Sequence, residues 1–171
     1  MERYTLGILV NNHPGVLSRV VGLFSRRGYN IDSLSVGETE NPAISRITIV
    51  VTGDRHIVEQ IEKQVAKLYD VLSVATLTLQ GSIQAELVFV KVSTTETSRA
   101  AVVELSEMFK AKIMDVSESA VTMQLTGNMD KIASFLHLLQ PHGIIELART
   151  GMTAMERGSQ AMINHGKENK K

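Results

Sequence analysis

Apolar positions recur along this chain with two periods, and the periods alternate in a regular order. Residues 5–10 form a short apolar run rich in β-formers, which predicts a buried strand. From Val16 the period lengthens. Val16, Leu17, Val20, Val21, Leu23 and Phe24 recur at helical spacing, with Ser18, Arg19, Ser25 and Arg26 on the other side. Gly28 ends this helix, as glycine does after a last turn. "NIDSLSVGETE" and "AISRITIVVTG" alternate around Asn41-Pro42 and predict two strands joined by a turn. Asp54 is placed to cap a second helix with an apolar face of Ile57, Val58, Ile61, Val65 and Leu68. Glu59 and Lys63 are spaced for an i,i+4 pair on that helix. Residues 71–79 close the unit with a strand.

The order β-α-β-β-α-β within about 80 residues is the split-βαβ, ferredoxin-like arrangement, a small antiparallel sheet with both helices on one face. Gln80-Gly81-Ser82 reads as a short linker, and the order then returns. "ELVFVKV" is a strand, and residues 96–110 make a helix buried through Val102, Leu105, Met108 and Phe109. "KIMDVS" and "AVTMQLTG" are strands around a Ser-Glu-Ser turn, and residues 128–139 make a helix carrying Ile132, Phe135, Leu136 and Leu139. Pro141-His142-Gly143 breaks that helix, and "IIELART" is the last strand. The fold class is therefore α+β, with two tandem ferredoxin-like domains over residues 1–79 and 84–158 and a linker at 80–83. The two copies share a pattern rather than residues. From Gly151 periodicity fades. Met152, Met155 and Met162 could dock this segment on a surface, and residues 159–171 are expected to form a flexible tail.

Composition narrows the function more than the fold. Of 171 residues, 43% are hydrophobic, enough for packed cores, while 18 basic side chains balance 18 acidic ones. That neutrality leaves no electrostatic footprint for nucleic acid or an anionic membrane. Aromatics at 4% and no tryptophan argue against base-stacking platforms. Without cysteine there is no disulfide framework, thiol nucleophile or thiolate metal site. No apolar run approaches the roughly 18 residues that span a bilayer, and no leader pattern is visible. The expectation is a soluble, cytoplasmic protein with neither a nucleic-acid nor a membrane partner.

No catalytic constellation emerges. His13, His56, His137, His142 and His165 occur in no metal-ligand spacing, and no carboxylate cluster accompanies them. The serines and threonines from Ser93 to Ser98 have no base tied to them by a motif. Phosphate loops of the G-x-G-x-x-G or G-x-x-x-x-G-K-[ST] kind are missing, and Gly22 inside a helix reads as a close packing point. No catalytic residue, metal or cofactor is assigned to this chain.

One junction has the chemistry of a binding site. "VNNHPGVL" runs from strand to helix, and the first helical turn leaves N–H groups without intrahelical partners at the positive end of the dipole. A carboxylate could accept from Gly15, Val16 and Leu17. Gly15 lacks a Cβ and allows close approach, Pro14 stiffens the turn, and Asn12 offers both an amide oxygen and an NH₂. Equally, Asn12 could cap the helix and Gly15 relieve strain.

The string "NNHPGVLSRVVGLFSRRGYNIDSLSVGETENPAISRITIVV" resembles the N-terminal ACT domain of the small, regulatory subunits of acetolactate synthase (acetohydroxyacid synthase). The likeness continues through "VEQIEKQVAKLYDVLSV", "VKV", "IMDVS", "LTG" and "ELARTG", over nearly all of residues 4–158. N-x-x-P-G-V-L is general to ACT domains, whereas "GLFSRRGYNIDSL" is specific to this family. The resemblance implies a non-catalytic subunit in branched-chain amino acid synthesis. It would join the catalytic (large) subunit, which carries thiamine diphosphate, Mg and FAD. It would raise that subunit's activity and make it sensitive to valine or a related end product. It also implies a homodimer of edge-paired ACT domains with a branched-chain amino acid between them. On that basis the effector-binding residues are Asn12, Gly15, Val16, Leu17 and Ser18 of one protomer, with Asn30 and Ile31 of the other. Gly15 and Val16 N–H would hold the carboxylate, Asn12 and Asn30 would address the polar end, and Leu17 and Ile31 would face the aliphatic side chain.

His13-Pro14 varies in that family, and the second copy, "KVSTTETSRAAV", lacks the Asn-x-x-Pro-Gly loop. The C-terminal domain is therefore expected to serve dimerisation and signal transmission. Competing expectations are a stand-alone ACT-type amino-acid sensor, an RNA-recognition module, and a purely structural dimerisation protein. The neutral charge and the lack of an aromatic RNA-binding signature weigh against the first two.

Overall fold

The computed structural model describes residues 2–164, so residues 165–171 of the expected tail, His165 among them, lie outside the described residues. The chain divides into two compact units. Residues 85–151 make the second, and residues 152–164 return to the first.

In the first unit, β1 (Glu2–Asn11), α1 (Val16–Arg26), β2 (Ile31–Glu38), β3 (Ile44–Gly53), α2 (Arg55–Val65) and β4 (Val71–Leu77) follow the expected order. The sheet is antiparallel in the order β2-β3-β1-β4. β1 is central, paired with β3 from Glu2↔Gly53 to Asn11↔Ile44 and with β4 on its other side. Leu6, Ile8, Val10, Ile47, Ile49 and Val51 project from one face against Val16, Val20 and Phe24 of α1 and Val58, Ile61 and Val65 of α2. Packing decides α1, since three valines and a glycine give it poor intrinsic propensity. Fully burying a side chain such as Phe24 is worth about 1.5–3 kcal/mol. Arg27, Gly28 and Tyr29 end α1 in a Schellman motif: Tyr29 N–H donates to Phe24 C=O and Gly28 N–H to Ser25 C=O, with Gly28 at φ 71°. Two details differ from expectation. Glu59 pairs with Arg55 (3.0 Å) rather than Lys63, and Asp54 stands at the N-cap of α2 without a side-chain hydrogen bond.

The opposite face of this sheet is covered as well. β9 (Thr153–Glu156) and a 3₁₀ turn at Met162–Asn164 lie over it, and β9 pairs with β5 (Ser82–Ser93), whose first residues belong to this unit. Small polar side chains of the sheet hold the returning backbone. Met152 N–H donates to Ser33 Oγ (2.7 Å), and Ser35 Oγ donates to Met152 C=O (2.8 Å). Arg46 Nη2 donates to Ala154 C=O (2.6 Å) and Ser73 Oγ to Met162 C=O (2.6 Å). Burial lowers the Arg46 pKa from its ordinary value, partly offset by nearby Glu156. Met152 and Met162 are buried as docking residues, while Met155 faces outward. Two expectations are corrected here. Residues 152–158 group by contact with the first unit rather than the second domain. The start of the expected tail is anchored at Met162, the buried residue among exposed neighbours at 159–163, which fills the space over Gly7. The expected linker at 80–83 is partly strand, since β5 begins at Ser82.

The second unit repeats the topology with β5, α3 (Arg99–Phe109), β6 (Lys112–Val116), β7 (Ala120–Gly127), α4 (Met129–Leu139) and β8 (Ile144–Arg149), in the sheet order β6-β7-β5-β8. Val88, Val90, Val92, Val121, Met123 and Leu125 meet Val102, Ile132, Phe135 and Leu139. Phe109 packs on Phe135 with ring centroids 5.1 Å apart. Met108 is not in this core. It is 68% exposed, one residue off the Val102–Ser106–Phe109 row that faces inward, and Ser106 takes the buried place. Asn128 caps α4, its Oδ1 accepting from Lys131 N–H at 2.9 Å.

Candidate functional site

The loop after β1 is fastened from two sides before it enters α1. Asn11 N–H donates to Asp70 C=O (2.9 Å), and Asn12 N–H donates to Ala43 C=O (2.8 Å). His13 N–H then bonds Asn11 C=O, and Val16 N–H bonds His13 C=O at 3.3 Å, folding the chain tightly into the helix. Gly15 is the N-cap residue, at φ 82° and ψ −7° in the left-handed region, a conformation that favours glycine. Its C=O accepts the first helical bond from Arg19 N–H at 3.1 Å. Among the described residues no side chain caps α1, and its first turn holds no acidic residue. Among the described residues no acceptor stands opposite the N–H groups of Gly15, Leu17 and Ser18.

Asn12 does not cap the helix. Its Nδ2 donates to Glu38 Oε1 (3.1 Å) and Pro42 C=O (2.9 Å). Both partners can only accept, which fixes the amide with its NH₂ on the β2–β3 turn and leaves Oδ1 as the outward group. Over the other flank stands Arg19. Its Nη2 is 2.5 Å from Asp70 Oδ2, and its Nη1 lies 3.7 Å from where a Cβ on Gly15 would be. The loop thus has a positive pole of backbone N–H groups and a guanidinium, and a negative pole of Glu38 with the Asn12 oxygen. A zwitterion has the matching pair of charges.

Residues 6–73 match the AHAS small subunit-like ACT domain, and residues 85–158 match the small subunit of acetolactate synthase. A "probable acetolactate synthase small subunit" of Methanothermobacter thermautotrophicus is 46% identical over 162 residues, 94% of this chain and 96% of that one. The isozyme 3 small subunit of Salmonella typhimurium is 43% identical over 161 residues, 94% of this chain and 99% of its own. The crystal structure of the Thermotoga maritima small subunit superposes with a TM-score of 0.85 at 38% identity, over 94% of this chain and all of that one. The chain belongs to the acetolactate synthase small-subunit family.

The residues expected at the site fall into two groups. Asn12, Gly15, Val16, Leu17 and Ser18 share one turn of backbone. Asn30 and Ile31 follow the other end of α1, eleven residues long and so about 16 Å from end to end. Asn30 is exposed, with Nδ2 3.3 Å from Asp32 Oδ1, and Ile31 is half-buried at the margin of the core. Val16 is only 3% exposed and its side chain lies in the core, so only its backbone faces the loop. Its N–H is already engaged with His13, which leaves Ser18 rather than Val16 with an open donor. Leu17 is 37% exposed and presents apolar surface beside these donors. Gly22 is no packing point, since an added Cβ there would meet nothing within 4 Å. Sequence reasoning missed Arg19, Glu38 and Asp70. The one available signal was a basic residue in a helical first turn, where the dipole favours an acid.

Among the described residues no group of three or more His, Asp or Glu gathers as a metal site, and no helix is long and apolar enough to cross a membrane.

Proposed function

We propose that this small subunit is the regulatory partner of a thiamine diphosphate-dependent catalytic subunit. It binds a branched-chain amino acid at the Gly15 loop and thereby makes acetolactate formation sensitive to that end product. The observation that carries the reading is the bare helix start at Gly15, flanked by the two opposite poles. Backbone N–H groups of Gly15, Leu17 and Ser18 take the α-carboxylate, Asn12 Oδ1 and Glu38 take the ammonium, and Leu17 offers apolar surface. Charge-assisted bonds of about 1.5–3 kcal/mol each make head-group recognition firm. A methylene is worth about 1–3 kcal/mol, so discrimination among valine, leucine and isoleucine is modest.

The separation of Asn30 and Ile31 from the loop along α1 supports a site completed by a second copy, each protomer giving one half. Among the described residues β2 pairs with β3 alone, leaving a row of backbone groups on its outer edge through which two ACT units can pair. Ligand held between protomers regulates by favouring one arrangement of the pair, with coupling of about 1–3 kcal/mol. The catalytic subunit, which carries thiamine diphosphate, Mg and FAD, condenses two pyruvates, or pyruvate with 2-oxobutyrate. The small subunit raises that activity in the absence of effector.

Gly15→Asp tests the site in the complex reconstituted with the large subunit. Asp tolerates the left-handed conformation better than most residues, and its carboxylate occupies and repels the ligand's own. Acetolactate formation should stay activated by the variant and lose its inhibition by valine. Gly15→Asn, of the same shape but uncharged, should lose less. Full valine sensitivity in Gly15→Asp removes the site from this loop.

A further inference from the structure

We propose that Arg19 is a carboxylate-recognition residue of the Gly15 loop, held over it by Asp70, so that a free carboxylate is required of any effector. The inference rests on the effector-site reading above and adds to it a residue and a chemical requirement. Three observations carry it. First, the guanidinium stands over the loop, with Nη1 3.7 Å from the Cβ position of Gly15, on the side chain four residues into the helix whose first donors are bare.

Second, this cation sits where the helix dipole disfavours one, in a turn that holds no acidic residue. Its partner has to come from elsewhere, and it does. Asp70 lies just ahead of β4, its side chain is only 14% exposed, and its C=O receives Asn11 N–H at the end of β1. One residue thus anchors both the entry of the loop and the charge above it. Third, Asp70 engages a single nitrogen, Nη2 at 2.5 Å. A guanidinium carries five N–H donors in a planar fork. Arg19 is 54% exposed, and among the described residues its Nε and Nη1 have no acceptor.

A surface ion pair with a structural duty alone would tie α1 to the α2–β4 turn and be indifferent to ligand chemistry. A recognition residue is not indifferent, and the two roles separate in a ligand series. Calorimetry on the full-length chain compares L-valine with L-valinol, which keeps the ammonium and the isopropyl group but has a neutral hydroxymethyl in place of the carboxylate. The alcohol is used at concentrations scaled to its weaker binding. Wild-type should bind valine well above valinol. Arg19→Gln should weaken valine by about tenfold or more, the size of a lost charge-assisted bond, and leave valinol as in wild-type. Arg19→Lys should recover part of the loss as a point charge without the fork. Circular dichroism of each variant should match wild-type.

Unchanged valine affinity in Arg19→Gln overturns the assignment, and so does an equal loss for valine and valinol. If Gly15→Asp abolishes valine binding while Arg19→Gln does not, only the role of Arg19 fails. If wild-type takes up no branched-chain amino acid, the effector-site reading fails and this inference with it.

Discussion

Gly7, in the middle of β1, has no room for one more carbon. A Cβ there would stand 2.8 Å from Met162 Sδ and 3.1 Å from Leu77 Cδ1. Both neighbours end flexible side chains, yet the Met162 backbone is held by Ser73, so relief is partial. Gly7→Ala should lower stability by about 1–2 kcal/mol through overpacking. Gly22 is the opposite case, a glycine inside α1 with no positive φ and nothing within 4 Å of an added carbon. Gly22→Ala should raise stability by about 0.5–1 kcal/mol, as alanine in a helix interior does. Urea-denaturation midpoints of the two variants should move in opposite directions. Neither sign is legible in the sequence, where Met162 is far from Gly7 and Gly22 looks like a packing glycine. The binding loop is a mixed case. Asn12, Pro14 and Gly15 announce a turn into a helix start, because the residue types themselves carry the geometry. Arg19, Glu38 and Asp70 join it only through folding, and ordinary surface charges give no warning of that.

At the scale of elements, both β-α-β-β-α-β repeats follow from hydrophobic period, since one apolar face per strand and helix is enough to place each of them. The return segment does not. Its anchors are its own backbone groups, met by Ser33, Ser35, Arg46 and Ser73 from the second face of the sheet. In sequence those polar residues alternate with core positions and therefore look solvent-facing. Met152 and Ala154 are both buried, but two alternations are too few to read as a strand. A Ser33→Ala/Ser35→Ala double variant removes both bonds to Met152. It should cost about 1–3 kcal/mol, at roughly 0.5–1.5 kcal/mol for each bond. The loss should appear in thermal unfolding with the native far-ultraviolet spectrum retained.

Across the whole molecule, the first unit is discontinuous in sequence and the second lies between its two pieces. The expected boundary at residue 158 moves to Gly151, because the backbone groups of Met152 and Ala154 bond Ser33, Ser35 and Arg46 of the first sheet. Excision of residues 85–151, with Gln84 joined to Met152 through a short glycine turn, should leave a cooperatively folding unit. A chain ending at Gln84 should not match it, because Leu9, Val50 and Leu77 would lose their cover. Expression of both with thermal melts checks this, and equal stability of the two would show that the return segment contributes nothing.

Met162 also sets an order of events during synthesis. The ribosome makes the first sheet early and delivers its lid last, after the intervening unit has been translated. Until then the nascent protein carries a greasy, half-finished surface, and a stop codon shortly before Met162 would spoil the part of the chain made first.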